Sequence, residues 1–440
     1  MGPVAAGGIH GAVPAGWLRV PVCLLLALSL VACAGMGRDF QRVESELVRG
    51  DTDAALAYLE PLAGSRLNRA LYDMNRGMVL RHAGDLDGSV AAFERAKRET
   101  GRLEAISVSE TLATWAVAEG ADSYQPPTHE HLLLHAFQLL NFLELGDLEA
   151  ARVEALQIDL GLRRIDPAEG RAPDGGDAFA RHVSGLAFEA NGDWSDAMIA
   201  YRRAYQAYRR QDVAIPADLQ RSLVRLADHL ELVEERDGYA EAFDISGWEP
   251  MARNRDRAMV LWVVQAGLGP RLEERTMVVQ AAADQFVRVS LPALRPRPSS
   301  LRGARITANG TLANADPTES VSGAADRWLE RQMPGLIARS VSRNVARYAV
   351  TERVREESPA LGLLVNVAGL FLEQSDTRNW RTLPDSIYLA RLDLPPGERR
   401  LQLEYLGGNA SVLATEERSA TLAAGGVTVL RSVWLDAVRR

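Results

Sequence analysis

Apolar positions recur at helical spacing from residue 40 to about 247, and beyond 255 they alternate with polar ones in short runs. The first pattern predicts amphipathic helices and the second predicts half-buried strands. Within the helical half, Gly50-Asp51, Gly84-Asp85, Gly146-Asp147 and Gly192-Asp193 each separate two amphipathic stretches. Glycine ends a helix in the left-handed conformation, and aspartate favours the start of the next one. A small residue three or four positions later (Ala54, Gly88, Ala150, Ala197) lets paired helices approach closely. The first two pairs stand 34 residues apart, one tetratricopeptide period, whereas the later intervals are 62 and 46 residues. The array is therefore degenerate, and a generic helical bundle is its alternative. Proline and glycine make 162–176 a polar loop, and Pro216 marks a boundary before a helix over 218–233.

Strands are predicted at 258–266, 276–280, 285–291 and 386–392, then at 400–406 and 426–434. A short hairpin is expected at 304–308 and 311–313. Residues 321–357 return to helix, and Ala360–Leu372 is apolar, helical or loop-like. The expected fold is α+β: an N-terminal tetratricopeptide-like α-solenoid over 40–250, followed by a β-rich, sandwich-like domain over 255–440. That domain carries a helical insertion at about 321–372, and strands on both sides of it can belong to one sheet.

The first 32 residues read as a leader. Arg19 precedes an apolar run from Val20 to Val31, shorter than the roughly 18–25 residues of a membrane span. It ends in Leu30-Val31-Ala32-Cys33, which resembles the bacterial lipobox. The resemblance implies cleavage before Cys33, a diacylglyceryl group on its thiol, and acylation (palmitate class) of the new amino terminus. Residues 33–39 then form a lipidated linker. Ala34 in place of Asp points to an outer-membrane address facing the periplasm. An ordinary signal peptide cut nearby, or a short anchor left uncut, is the alternative. Of two cysteines, Cys23 lies in the removed segment, so no disulfide and no catalytic thiol is expected. A net charge of -8 gives no support to nucleic acid as a partner.

Several stretches together resemble a family of uncharacterised bacterial envelope lipoproteins with tetratricopeptide-like helices and a β-rich C-terminal half. They are Glu130 within His129-Glu130-His131, residues 136–154, Gly267–Glu273 and Asp376–Pro384. Members tend to be encoded beside lipoproteins related to the curli-secretion pore or to activators of penicillin-binding proteins. The resemblance spans roughly 120–395 and implies an envelope accessory role.

Candidate chemistry is sparse. His131 and His135 share a helical face, and with His129 they are weak metal candidates. Position 133 is Leu, so the order is not His-Glu-x-x-His, and packing histidines with Glu130 near a helix N-terminus is the simpler reading. In Asp376–Pro384, Asp376 can accept from Arg378 or cap its own turn, and Trp380 can bury against the sheet. This loop is either a rigid connection or a partner-binding element. Gly267–Glu273 is a turn and not a phosphate-binding loop, and no nucleophile motif or cofactor fingerprint occurs. The function expected is a lipid-anchored envelope scaffold binding other envelope proteins without catalysis or cofactor. The rival is a peptidoglycan- or glycan-acting enzyme or binding module, with Trp115, Trp194 and Trp380 as stacking candidates. An open helical groove favours the scaffold, and a polar cleft with convergent carboxylates favours the rival.

Overall fold

The computed structural model describes residues 39–107, 123–165, 175–251, 256–282, 285–357 and 375–436. Cys33, Trp115 and the Ala360–Leu372 stretch lie outside them. Helices α1 (39–49), α2 (Thr52–Leu59), α3 (Arg69–Ala83) and α4 (Leu86–Ser107) are followed by α5 (Thr128–Leu145) and α6 (Leu148–Ile165). The array continues with α7 (Asp177–Asn191), α8 (Trp194–Arg210), α9 (Ala217–His229) and α10 (Val233–Ala242).

One backbone device makes the turns. Gly50, Gly84, Gly146 and Gly192 all have φ between +78° and +85°. The N–H of the following aspartate donates back to a carbonyl five residues earlier, as Asp85 does to Leu80 at 3.0 Å, which closes the last turn as a Schellman cap. Asp51, Asp85 and Asp147 then accept from the third backbone N–H ahead at 2.8–2.9 Å. Asp193 does not cap. Its carboxylate binds Arg152 at 2.7 Å instead. The close-approach residue is the fourth after each aspartate: Ala55, Ser89, Ala151 and Ala197 are all fully buried, whereas Ala54, Gly88 and Ala150 are partly exposed.

Two hairpins add a second device. A Cβ on Gly77 would stand 2.4 Å from the Phe93 ring, and one on Gly185 would stand 2.3 Å from the Tyr201 ring. Each glycine precedes its turn glycine by seven residues, and each aromatic follows it by nine. The ring of the second helix thus lies across the backbone of the first. The α1/α2 and α5/α6 pairs have Val43 with Leu59 and Leu139 with Ala155 at the same places, which is where the repeat degenerates.

The second half holds strands β1 (Ala258–Ala266), β2 (Arg271–Ala282), β3 (Gln285–Arg295), β4 (Gly303–Ala308) and β5 (Thr311–Ser320). Helix α11 (Val321–Glu357) follows, then β6 (Ser386–Leu394), β7 (Gly397–Leu406), β8 (Val412–Leu422) and β9 (Val427–Trp434). Seven strands form one sheet in the order β8-β7-β4-β5-β6-β1-β9, with β2 and β3 as a separate hairpin. All pairings are antiparallel except β1 with β9. The expected sandwich is corrected: a single sheet curls until it nearly closes, and no second sheet faces it among the described residues. Strands before and after α11 share it. β8 was absent from the expectation because its side chains are mostly exposed and polar, so no burial alternation marks it.

Alternation along β1 sorts two cores. Met259, Leu261 and Val263 face the helices, while Val260, Trp262 and Val264 face into the curl. β6 repeats this with Ile387 and Leu389 outward and Tyr388, Ala390 and Leu392 inward. Both faces of β1 are covered, which explains its unbroken apolar run. The helical array and the convex face of the sheet therefore share one continuous core.

Candidate functional site

The groove formed by α1, α3, α4 and α5 is occupied by the chain's own 375–385 segment. Trp380 is 1% exposed. Its ring meets Phe93 edge-on at 5.8 Å and Phe137 at 6.3 Å between centroids. Both aromatic rings it meets are helical, while Leu272 and Leu294 of the β2–β3 hairpin line the small space beside it. Phe93 reaches this slot across Gly77.

The segment's backbone is held as firmly as its side chains. The Glu130 carboxylate, in the first turn of α5, accepts from the Trp380 N–H at 2.9 Å and from the Tyr124 hydroxyl. Asn75 of α3 accepts from the Thr382 N–H at 3.2 Å. Asp376 accepts from the Arg378 N–H at 2.9 Å and from its guanidinium. Arg378 also donates to Asn68 at 2.9 Å and lies over the Tyr124 ring. From the sheet side, Asn379 donates to the Pro270 carbonyl at 2.8 Å, and the Gly269 N–H donates to the Leu383 carbonyl at 2.7 Å. Gly267, at φ +65°, allows this turn because a Cβ there would press on Asp385 and Ser299 at 3.1–3.2 Å. Three separate stretches, around Glu130, Gly267–Glu273 and Asp376–Pro384, thus meet in one place.

Glu44 of α1 closes the end of the groove. It is 2% exposed and binds Arg381 at 2.7 Å, Arg297 at 3.0 Å, and Arg271. Three guanidiniums around one buried carboxylate join α1, the β2–β3 hairpin and the 375–385 segment. Burial and the neighbouring arginines lower the Arg297 pKa to about 10. Sequence reading missed Glu44, Asn75 and Arg381. The available signal was a charge at an inward position, since Glu44 shares the apolar face of Phe40, Val43 and Leu47.

A second polar cluster ties the array to β6. Arg391 donates to both oxygens of Glu189 at 2.7 Å. Arg225 donates to Asp393 at 2.8 Å, and the Tyr201 hydroxyl donates to Glu189 at 2.7 Å. Burial alone would raise Asp393, but Arg391 and Arg225 hold it well below the usual carboxylate range. Burial opposes ionisation of Glu189 in the same way, and the same two arginines outweigh it and lower that group too.

The histidines diverge. His129 packs near Trp328 at 6.2 Å between ring centroids, and burial drops its pKa to about 3. His135 binds Glu154 of α6 at 2.8 Å, with the His131 ring 5.2 Å from its own. Among the described residues, no three of His, Cys, Asp and Glu are grouped to hold a metal. Trp194 packs edge-on against His229 at 5.4 Å.

Burial lifts Glu130 to about 7, a value suited to proton transfer near neutrality. The space beside it, lined by His129, Trp328 and Trp380, is about 10 Å³, room for roughly one water and no substrate. The arrangement is chemically a lock: a carboxylate and an amide capture an extended backbone while a tryptophan fills the slot.

No family model matches the chain, and no curated protein matches it in sequence. Solved structures overlap part of it. A crystal structure of MamA is 12% identical, covering 44% of this chain and 88% of that one at a TM-score of 0.29. MamA from Desulfovibrio magneticus RS-1 is 15% identical, with 48% and 92% covered at 0.31. Aspartyl phosphate phosphatase F from Bacillus subtilis is 13% identical, with 51% and 56% covered at 0.32.

Proposed function

We propose that the chain is a lipid-anchored scaffold of the bacterial envelope, tethered through Cys33 at the outer membrane and facing the periplasm, that binds other envelope proteins. The groove expected to stay open is filled by the chain's own 375–385 segment, so the observation that carries this reading is the apolar row left exposed on α6 and α8. Tetratricopeptide-like hairpins stack into an extended surface, and here the 375–385 segment fixes them to the sheet as one body. An internally filled groove leaves partner binding to the outer faces. Val153, Leu156 and Leu160 on α6, with Ile199 on α8, form an apolar row 38–48% exposed, which is the surface offered to a protein partner. Among the described residues no helix is long and apolar enough to cross a membrane, and α1 begins six residues after Cys33.

The test is a crosslinking pulldown of the tagged full chain from intact envelopes, beside an L156D/L160D variant. Proteins recovered with the parent and lost with the folded variant are the expected result. No partner above background, together with retention on purified peptidoglycan, overturns it. The tether is tested by fractionating Cys33→Ala, which should leave the membrane pellet. Unchanged fractionation rejects lipid anchoring.

A further inference from the structure

A crevice separates α9 and the 245–249 segment from the start of β5 and the end of β6. Its volume is about 470 Å³, within the usual range of small-molecule sites, which favour junctions such as this one. Arg225, Arg391 and Asp393 form part of its wall, and with Glu189 behind them they make a self-neutralised cluster in which each carboxylate is matched to a guanidinium. Asp316, at another wall, is tied to the Ala217 N–H at 2.7 Å.

Two arginines on the crevice are not used up in this way. Arg221 is exposed and has no hydrogen bond or ion pair among the described residues. It acts on Asp218 and Asp316 only through space. Arg257 donates through Nη1 to the Asp393 carbonyl at 2.9 Å and stands 3.6 Å from Glu249. Its Nε and Nη2 donors remain open. Glu249 is itself half exposed, so it does not confine the guanidinium. The remaining wall carries Thr311 and Asn314 beside two larger apolar side chains, Trp248, one face of which is covered by Arg236 at 5.7 Å, and Leu312, which is 56% exposed.

We propose that this crevice binds a small anionic molecule, a carboxylate or phosphate monoester, held by Arg221 and Arg257 with its ring or acyl body against Trp248 and Leu312. Guanidinium forks suit such oxyanions because two parallel N–H donors match two oxygens. The buried Glu189, Arg225, Arg391 and Asp393 cluster holds the wall rigid and, being neutral, neither repels nor competes for the ligand. The site lies away from the Trp380 lock and does not depend on the scaffold reading.

The probe is phenyl phosphate, titrated calorimetrically into the purified full chain at low salt. Saturable one-to-one binding below about 1 mM is expected, with inorganic phosphate roughly tenfold weaker and benzyl alcohol silent. R221A should weaken phenyl phosphate at least about tenfold. Its thermal midpoint should match the parent, since Arg221 bonds to nothing that holds the fold. L312S should weaken phenyl phosphate and leave inorganic phosphate unchanged. The proposal is overturned by equal affinity in R221A, by benzyl alcohol binding as well as phenyl phosphate, or by no saturable heat.

Discussion

The backbone N–H of Trp380 donates at 2.9 Å to the carboxylate of Glu130, 250 positions earlier in the chain. This bond joins the two halves, and its acceptor is buried and raised to about 7 from an ordinary 4.5. In the unfolded chain Glu130 loses its proton near 4.5, and in the folded chain only near 7. The folded state therefore binds more protons across that window, and stability falls as pH rises through it, on the order of 3 kcal/mol at most. Glu319, lifted to about 7 by burial and by Asp177, adds to the same slope. Asp393, Glu189 and Asp218 are shifted down, so their stabilisation is lost only as the solution turns strongly acidic. Burial drops His82, His129 and His131 to about 4, 3 and 4, and below about pH 6.5 their slope has the opposite sign, so the Glu130 contribution is read by chemical denaturation from about pH 4.5 to 8 as the difference between the parent and E130Q. E130Q should flatten the decline toward the alkaline end. An unaltered slope in E130Q would refute the assignment.

Trp380 is the apolar half of the lock. Truncation to alanine should cost about 3–5 kcal/mol, as for other buried large aromatics. W380F should cost far less, because its ring still reaches Phe93 and Phe137 and the indole Nε1 has no partner among the described residues. Limited proteolysis should cut W380A faster within 375–385. Equal protection of W380A and the parent would mean that the segment is held without its ring.

The helical turns were readable because glycine and aspartate act locally. A left-handed cap and an N-cap need only neighbouring residues, so Gly84-Asp85 declares its structure without the rest of the fold. The strands with one buried face were readable for the same reason. β8 was not, since only a pairing with β7 makes it a strand. The site was legible in fragments: Glu130, Gly267–Glu273 and Asp376–Pro384 each stood out, but nothing in sequence says that α5 and a loop 250 positions away share a hydrogen bond. The sequence neighbours of Trp380 lead into β6 and point to the sheet, but the slot beside Phe93 exists only once the helices have stacked. Glu44 shows the general limit. A buried charge is informative only when the face it occupies is already known.

Gly77 and Gly101 make a contrasting pair on consecutive helices. Alanine is preferred over glycine in a helix by about 1 kcal/mol. G101A meets nothing within 4 Å and should stabilise by roughly that amount. G77A places its methyl 2.4 Å from the Phe93 ring and should destabilise by about 1–3 kcal/mol through overpacking. It should also loosen Trp380, whose slot Phe93 walls. Adding F93L to G77A should recover part of the loss, so a double-mutant cycle reads the coupling directly. Equal and positive effects of G77A and G101A would show that Phe93 can move freely.

Arg391 and Glu189 hold the other end of the two halves together, and their removal tests how a buried ion pair acts. R391M leaves Glu189 without its bidentate partner inside the core. Breaking one side of such a pair costs about 3–5 kcal/mol, because the remaining charge has no solvent. In R391M/E189Q both charges are gone. The amide introduced by E189Q still offers an oxygen to the Tyr201 hydroxyl, and Arg225 keeps Asp393. The double variant should therefore be markedly more stable than R391M alone, and urea midpoints with unchanged m-values are the measurement. If the double variant were no better than R391M, the pair's value would lie in attraction between the charges and not in the cost of leaving one of them alone.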